Sequence, residues 1–460
     1  MDVIVIGCGA SGVAALRKLH DAGLQVMGFE AADRIGGRIH TVEYGKSTVD
    51  LGAAWCHGEK NNIVFELAEP LGLLGRPNEY ENFYLISNGE LVPRDECEEM
   101  ISILENEVTE ADKNNNKSIS ECVCGAINSH ELLQKQPDIT NSLTEIYAKL
   151  NHLGGEDDPK TGKSLKGLDE SESCEGEFML NWKERGYKSI LDVLLNRYPD
   201  PSKEVPVQIH LNKEVTNIRW STTKPGDSNP LVQVKCKDGS LYATKSVIVT
   251  VSLGVLKERH TELFNPSLPQ EKINSINNLN LCIVDKIYVE FNEPWWSKPS
   301  KYQILWREED KKQFSEEDKW IADMFCVETV EYQPNLLRVW IYGNAAVAME
   351  KLNDEEVKSG VETLMKLLGK RFPVTPVKSI LRSQWATNPL IRCAYAYRSV
   401  ATEENGGGAA VLSEPLYHKD GFPVVCFAGE ATSHRMHSAV HGAIEAGFRE
   451  ASRLINYMKK

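Results

Sequence analysis

The chain is predicted to be an α/β protein, and three observations carry that prediction. Val3–Ile6, an apolar run halted by Gly7, is followed by a helix-spaced segment and a second apolar run, a β-α-β unit of about 30 residues. The carboxyl end returns to the same pattern, with Val424–Ala428, then Gly429-Glu430, then a helix. Between these ends lie several runs rich in β-branched and aromatic residues, separated by turn signals and helical stretches.

The elements follow in order. Ser11–Ala22 carries Val13, Leu16 and Leu19 at helical spacing, and Gly23 stops it. Gln25–Glu30 is the second strand. A helix is expected over Asn62–Leu74, and Phe83–Val92 reads as a hairpin turning at Asn88-Gly89. Arg94–Asn151 is mainly helical, interrupted by the polar run Lys113–Lys117. Gly154–Glu177, rich in Gly, Asp, Glu, Ser and Lys, is read as a long mobile loop. A helix is expected at Ile190–Tyr198. Strands then fit Val205–His210, Val215–Trp220, Leu231–Cys236 and Leu241–Val251, the last two joined at Asp238-Gly239. Cys282–Phe291, Trp320–Cys326 and Leu336–Tyr342 are read as strands and Asp354–Leu368 as a helix. In the last helix Val440, Ile444, Gly447, Ala451 and Leu454 recur at steps of four and three, one apolar stripe. No internal repeat is visible.

At 460 residues the chain has room for two or three domains, or one large two-lobed unit. Its 52 Lys+Arg against 66 Asp+Glu leave a net charge of −14, which repels phosphate backbones, disfavours a nucleic-acid role and suits a cationic partner. A hydrophobic content of 41% with 26% charged residues is ordinary for a globular chain. No apolar run approaches the roughly 18 residues a membrane span needs, so no membrane role is expected. Met1–Gly7 is read as a strand rather than a signal peptide. The eleven cysteines are an odd number, and Cys122-Val123-Cys124 has the wrong spacing for a zinc knuckle. Reduced thiols in a cytoplasmic compartment are the expectation, with a peroxisomal location left open although no Ser-Lys-Leu ending is present. A monomer or weak dimer is expected.

Gly7-Cys8-Gly9-Ala10-Ser11-Gly12 sits between strand and helix, the context in which a Gly-x-Gly-x-x-Gly spacing binds a dinucleotide. Gly7 permits the tight turn, Gly9 lets backbone approach a pyrophosphate, and Gly12 lets helix and strand pack closely. Ala10 and Ser11 open the helix, whose free N–H groups and positive dipole face the phosphates. Glu30, closing the second strand 18 residues past Gly12, is placed to accept from a ribose hydroxyl and to repel a 2′-phosphate. This is a Rossmann-type unit. Arg34-Ile35-Gly36-Gly37-Arg38 adds a second backbone approach and, in Arg38, a fixed cation for phosphate charge, although taken alone it reads equally as a basic turn. Together the two signals point to FAD rather than NAD.

With four further stretches, these residues resemble the flavin-containing amine oxidase family, most of all its polyamine oxidase branch. The stretches are Asp50–Gly58, Thr250–Lys257, Asp285–Phe291, and Phe427–Thr432 followed by His441-Gly442-Ala443; they run in the family's order and span nearly the whole chain. The weakly matched parts are Arg94–Glu184 and Lys298–Trp320. The resemblance implies a Rossmann-type FAD-binding domain of discontinuous segments (1–76, 186–262 and 405–460). It also implies an α+β substrate domain with a mixed sheet (77–185 and 263–404). The implied activity is FAD-dependent oxidation of a small cationic amine: spermine, spermidine or their N1-acetyl forms. Hydride passes from the C–N carbon to flavin N5, the imine is hydrolysed to amine and aldehyde, and O2 reoxidises the flavin to give hydrogen peroxide.

The resemblance also assigns residues. Lys286 matches the lysine that holds a water against the flavin; read bare, a strand lysine is a solvated surface charge. Alternation puts Val284, Lys286, Tyr288 and Glu290 on one face and Ile283, Asp285, Ile287, Val289 and Phe291 on the other. His57 matches a histidine proposed to bind the substrate amine or manage its proton, and reads equally as a histidine satisfied by backbone. Ala53, Ala54, Trp55, Val215 and Trp385 are assigned to the cofactor, Glu430 to its ribityl or pyrophosphate region, and Ala439 and Val440 to the flavin's pyrimidine edge. Tyr395 and Trp385 resemble the aromatic residues of the flavin face, and Tyr395 and Val284 are expected at the substrate. The small Ala439 favours a long aliphatic amine over an aryl one. Val284 departs from the acetylpolyamine pattern and Asp285 resembles the spermine one, so acetylated and free amines both stay open. The acidic run Asp169–Glu177 is either an attractor of polycations or a solvated face. His434, His437 and His441 lack a completing carboxylate or cysteine, and no metal is expected. An aromatic monoamine oxidase and a flavin-bound scaffold without turnover remain the alternatives.

Overall fold

Strands whose residues are apolar on both faces must be covered on both faces, and this sets the first half of the architecture. A computed structural model describes residues 1–113, 117–151, 159–169, 173–220 and 231–459. Val3–Ile6, Ser246–Val249 and Pro423–Phe427 are buried throughout and lie in a six-stranded sheet. Its strand order is 416–417, 423–427, 246–249, 3–6, 26–29, 208–210, parallel except for the outermost 416–417 pairing. The pleat divides the core. Val3, Val5 and Ile248 pack with the helices Ala10–Asp21 and Val440–Met458, whereas Ile4, Ile6, Val247 and Val249 pack with a smaller four-stranded sheet built from 215–220, 232–236, 241–244 and 264–265. The two helices touch closely. A Cβ on Gly447 would fall 2.2 Å from the Ser11 carbonyl oxygen, so the stripe on the last helix needs glycine there.

The second half is a seven-stranded mixed sheet in the order 377–382, 284–291, 333–342, 326–330, 300–305, 81–86, 91–92. All its pairings are antiparallel except that of 300–305 with 81–86. One face is covered by the helix Asp354–Leu368 through Val357, Val361, Leu364 and Leu368. On the other, helices Arg94–Glu110, Ile119–Ser129 and Pro137–Leu150 cover Tyr84, Leu305 and Cys326. The remainder of that face carries Lys286, Arg338 and Glu328 and turns toward the first half.

The hairpin at Asn88-Gly89 forms with Gly89 at φ +98°, where a side chain would be strained. Three expected elements differ. Leu241–Val251 is two strands, Leu241–Thr244 and Ser246–Val249, because the chain leaves a half-exposed antiparallel sheet for the fully buried parallel one. Cys282–Phe291 likewise splits at Ile283, its first part pairing with Tyr395–Tyr397 and its second entering the seven-stranded sheet. Trp320–Cys326 is not a strand: Lys319–Asp323 is a 3-10 turn that buries Trp320, Ile321 and Ala322 in succession, with Trp320 seated on Gly360.

The stretch read as a mobile loop is structured where it is described. Pro159–Thr161 is a 3-10 turn, Leu165–Asp169 a short helix, and the carbonyls of Glu175 and Glu177 accept from the main chain of Gly58–Lys60. Residues 154–158 and 170–172 of that stretch, and Asn114–Asn116 of the polar run, lie outside the described residues, so the acidic run is described only in part. Among the described residues no helix is long and apolar enough to cross a membrane.

Candidate active site

At the first helix the local rule is the absence of side chains. Gly7 sits at φ +93°, and a Cβ on Gly12 would fall 1.9 Å from the Gly7 carbonyl oxygen, so the helix starts directly against the strand end. The Gly9 main chain forms a bridge with Gly36, and no side chain caps the helix. Ser11 Oγ is buried there without a hydrogen-bond partner. Arg34 spends its guanidinium on the carbonyls of Ile35, Gly37 and Ile39, which fixes the Gly36-Gly37 turn. Glu30 accepts from Cys8 N at 2.8 Å and Ala32 N at 2.9 Å; each carboxylate oxygen keeps further acceptor capacity. Uncapped N–H groups, an orphaned buried hydroxyl and an acidic residue beside them suit the pyrophosphate and ribose of a dinucleotide, so these residues fit FAD.

Arg38 donates to Glu430 at 2.8 Å and to the Ala394 carbonyl at 3.0 Å, so the expected phosphate cation carries its own counter-charge. The other Glu430 oxygen accepts from Ala396 N at 3.3 Å and Ser438 N at 3.2 Å. Ser438, at φ +66°, turns the chain into the last helix, where Ala439 is the uncapped N-cap and Val440 the first residue.

The other end is built by the seven-stranded sheet. Lys286 Nζ donates to the carbonyl oxygens of Asp50 at 2.8 Å and Gly52 at 2.5 Å, and lies 5.6 Å from the Trp55 ring and 5.4 Å from the Trp340 ring. Burial, with the Arg338 cation adding to it, lowers the Lys286 ammonium to about 7. Trp55 stacks on Trp340 at 5.9 Å. Arg338 lies 4.5 Å from the Trp55 ring and 5.2 Å from that of Trp340, and donates twice to Glu328 Oε1, at 3.0 and 2.8 Å. Trp340 Nε1 donates to the same oxygen at 2.6 Å. Burial pushes Glu328 up, but Arg338 and Lys301 hold it below the usual carboxylate range.

Behind this strand, Ser383 Oγ accepts from Lys286 N at 2.9 Å and donates to Asp285 Oδ1 at 2.6 Å. Burial and the adjacent Glu350 push the Asp285 carboxyl well up. Glu350 accepts from the main-chain N–H groups of Trp385 and Ala386, each at 2.8 Å, and of Thr387 at 2.6 Å, which fixes the Trp385 wall. His57 Nδ1 lies 2.8 Å from the Phe178 carbonyl oxygen; a carbonyl only accepts, so Nδ1 carries the proton and the neutral ring leaves Nε2 as an acceptor. Its ring stacks on Phe178 at 4.4 Å, and burial and then Lys286 lower its pKa.

One cavity of about 1470 Å³ joins the two ends. It is lined by Gly7, Gly9, Ala10, Ser11, Glu30, Arg38 and Val215 at the nucleotide end, and by Ala53, Ala54, Trp55, His57, Val284, Lys286, Trp385, Tyr395, Glu430, Ala439 and Val440. Gly12 packs beneath it. His437 and His441 also line it, and among the described residues no three metal-ligating side chains converge. Arg338, Glu328, Trp340 and Glu350 escaped sequence reasoning. Their signal was faint: Arg338 and Trp340 share one face of an expected strand, but Glu328 lay beyond a segment assigned to the wrong place.

Comparison with known proteins agrees with this geometry. The chain is 30% identical over 514 residues to the peroxisomal N(1)-acetyl-spermine/spermidine oxidase of Bos taurus, covering 98% of this chain and 94% of that protein. It is 28% identical over 504 residues to the Homo sapiens protein of the same name, covering 99% and 94%. It is 27% identical over 515 residues to polyamine oxidase 1 of Oryza sativa subsp. japonica, covering 99% and 97%. The pattern described as "Flavin containing amine oxidoreductase" matches residues 10–455: the chain belongs to the flavin-containing amine oxidoreductase family and is an FAD-dependent enzyme.

Proposed function

We propose that this enzyme is an oxidase of polyamines, taking spermine, spermidine or their N1-acetyl forms. The observation that carries the reading is the single cavity running from the glycine cradle to Lys286. The net charge of −14 favours a polycation's approach, and Ala439 leaves room for a long aliphatic chain. Two of the curated relatives are named for acetylated polyamines and one for polyamines, which supports the same class.

A flavin held in this cradle would supply the acceptor for hydride from the carbon beside the amine nitrogen and a route for its electrons to O2. The chain's residues have separate tasks. Gly7, Gly9, Ala10, Ser11 and Glu30 hold the dinucleotide, with Gly12 packing the cradle and Val215 walling it. Arg38 and Glu430 act as a pair beside the cofactor, and Ala439 and Val440 present the last helix's N–H groups to it. Trp385 and Tyr395 form aromatic walls, with Ala53, Ala54 and Trp55 opposite and Val284 toward the substrate. Lys286 holds a water and moves its proton, a task for which a pKa of about 7 is well matched. His57 accepts from the substrate amine through Nε2, and its lowered pKa keeps that acceptor free. Only a neutral amine gives up hydride readily, and a neutral His57 accepting through Nε2 suits that form.

We assign the cofactor to a domain of residues 1–76, 186–262 and 405–460, and the substrate to 77–185 and 263–404. The eleven free cysteines support a reducing compartment, cytoplasmic or peroxisomal, and we propose a monomer or weak dimer there. The purified protein is expected to be yellow, to bleach without air on addition of a polyamine, and to release peroxide in air. Bleaching by none of spermine, spermidine and their N1-acetyl forms would overturn the reading.

A further inference from the structure

We propose that Lys163 and His437 form a clamp for an uncharged acyl oxygen, so that the cavity selects a polyamine acylated at one end over the free polycation; this rests on the polyamine reading above. Both side chains line the cavity. Lys163 is held by main chain on both sides: its carbonyl accepts from Ile119 N at 3.0 Å, it bridges Ser399, and Ser164 N donates to the Arg398 carbonyl at 3.0 Å. Its side chain is less committed, since Nζ makes a long 3.4 Å bond to the Asn151 carbonyl. His437 Nδ1 is buried without a hydrogen-bond partner. Burial, and then Lys163 and Arg398, lower the His437 pKa to about 4, so the ring is neutral and donates without adding charge.

The clamp's place follows from the strands. Lys163 lies near Cys282, whose thiol burial keeps protonated, and Cys282 pairs with Tyr395 of the proposed flavin wall. His437 stands two residues before Ala439. Burial lowers the Lys163 pKa, and an ammonium brought to this spot meets the donor N–H groups of Lys163 and His437 and, where Lys163 is protonated, a like charge. Among the described residues, the lining carboxylates of this half, Glu328 and Glu430, already answer Arg338 and Arg38. A carbonyl oxygen carries no charge and accepts from the ammonium of Lys163 and the imidazole N–H of His437 together. A site built to donate to an oxygen rejects the analogue that lacks it.

The test compares kcat/KM for N1-acetylspermine and spermine, with peroxide as readout, in the wild type, Lys163→Met and His437→Phe. The wild type is expected to favour the acetylated compound. Lys163→Met is expected to lower kcat/KM for N1-acetylspermine by about 10- to 100-fold, mainly through KM, while spermine holds or improves. His437→Phe is expected to lose less, in the same direction. Flavin content and the visible spectrum, unchanged in both variants, verify folding, and the thermal shift given by N1-acetylspermine should shrink in Lys163→Met. A wild type that prefers spermine, or variants that weaken both compounds equally, would overturn the clamp alone. If neither compound nor any other polyamine is oxidised, the polyamine reading falls and the clamp falls with it.

Discussion

The two halves that face each other across the cavity are built on opposite principles. In the parallel-sheet half the decisive residues are those without side chains: Gly7 and Gly12 bring a strand end against a helix start, and a single Cβ would fall within 1.9 Å of a carbonyl oxygen. In the mixed-sheet half the decisive residues are ionisable and buried. Lys286, Arg338, Glu328, Asp285 and Glu350 are each at most 7% exposed. Arg338 meets Glu328, Lys286 meets two carbonyl oxygens and two ring faces, Glu350 meets a row of main-chain N–H groups, and Asp285 meets the Ser383 hydroxyl. The first half offers exposed backbone to the cofactor we assign to it. The second shapes protonation by excluding water around paired charges.

That contrast is broken most severely at Gly12. Gly12→Val places side-chain atoms where the Gly7 carbonyl oxygen stands, and neither is a flexible end that can move aside. Purified Gly12→Val is expected to hold little or no flavin by absorbance, and retention of a full complement would refute the close-packing account. A smaller and different loss is expected in the other half. Lys286→Met fills similar volume without the charge, so flavin content should survive while the rate with O2 falls by about 100-fold or more, as loss of a positioned proton carrier does. Stopped-flow mixing of the reduced enzyme with air-saturated buffer measures this, and an unaltered rate would remove the task assigned to Lys286.

The same contrast explains what the sequence reveals and what it hides. Gly7, Gly9, Gly12 and Glu30 are legible because one β-α-β unit supplies them all within 24 residues, and backbone geometry restricts which residue each position accepts. The alternation of Cys282–Phe291 put Lys286 on its true face because period two is fixed by the pleat. Trp320–Cys326 misled because three successive buried apolar residues suit a tucked turn as well as a strand. The Arg338–Glu328 pair and the Glu350 cap lay outside reach altogether. Glu328 meets Arg338 through the register of two neighbouring strands, and Glu350 meets Trp385 across 35 residues. No local period encodes either meeting.

Arg338 offers the subtlest test, because it reaches the chemistry only through another residue. Its guanidinium lies against the same two indole rings as Lys286, and after burial it is the largest influence lowering the Lys286 pKa to about 7. Arg338→Met removes that cation and leaves Glu328 with Lys301 and Trp340 to answer it; both changes favour protonated Lys286, so its pKa must rise. Any step that needs neutral Lys286 then starts at higher pH, and the acidic limb of the rate profile should move up by about one pH unit, a free-energy change of about 1.4 kcal/mol. Arg338→Lys keeps the charge but loses the pair of hydrogen bonds to one carboxylate oxygen, so its limb should stay in place while the rate drops modestly. An unmoved limb in Arg338→Met would show that burial alone sets the lysine's protonation and that the stacked guanidinium serves only to hold Trp55 and Trp340 in place.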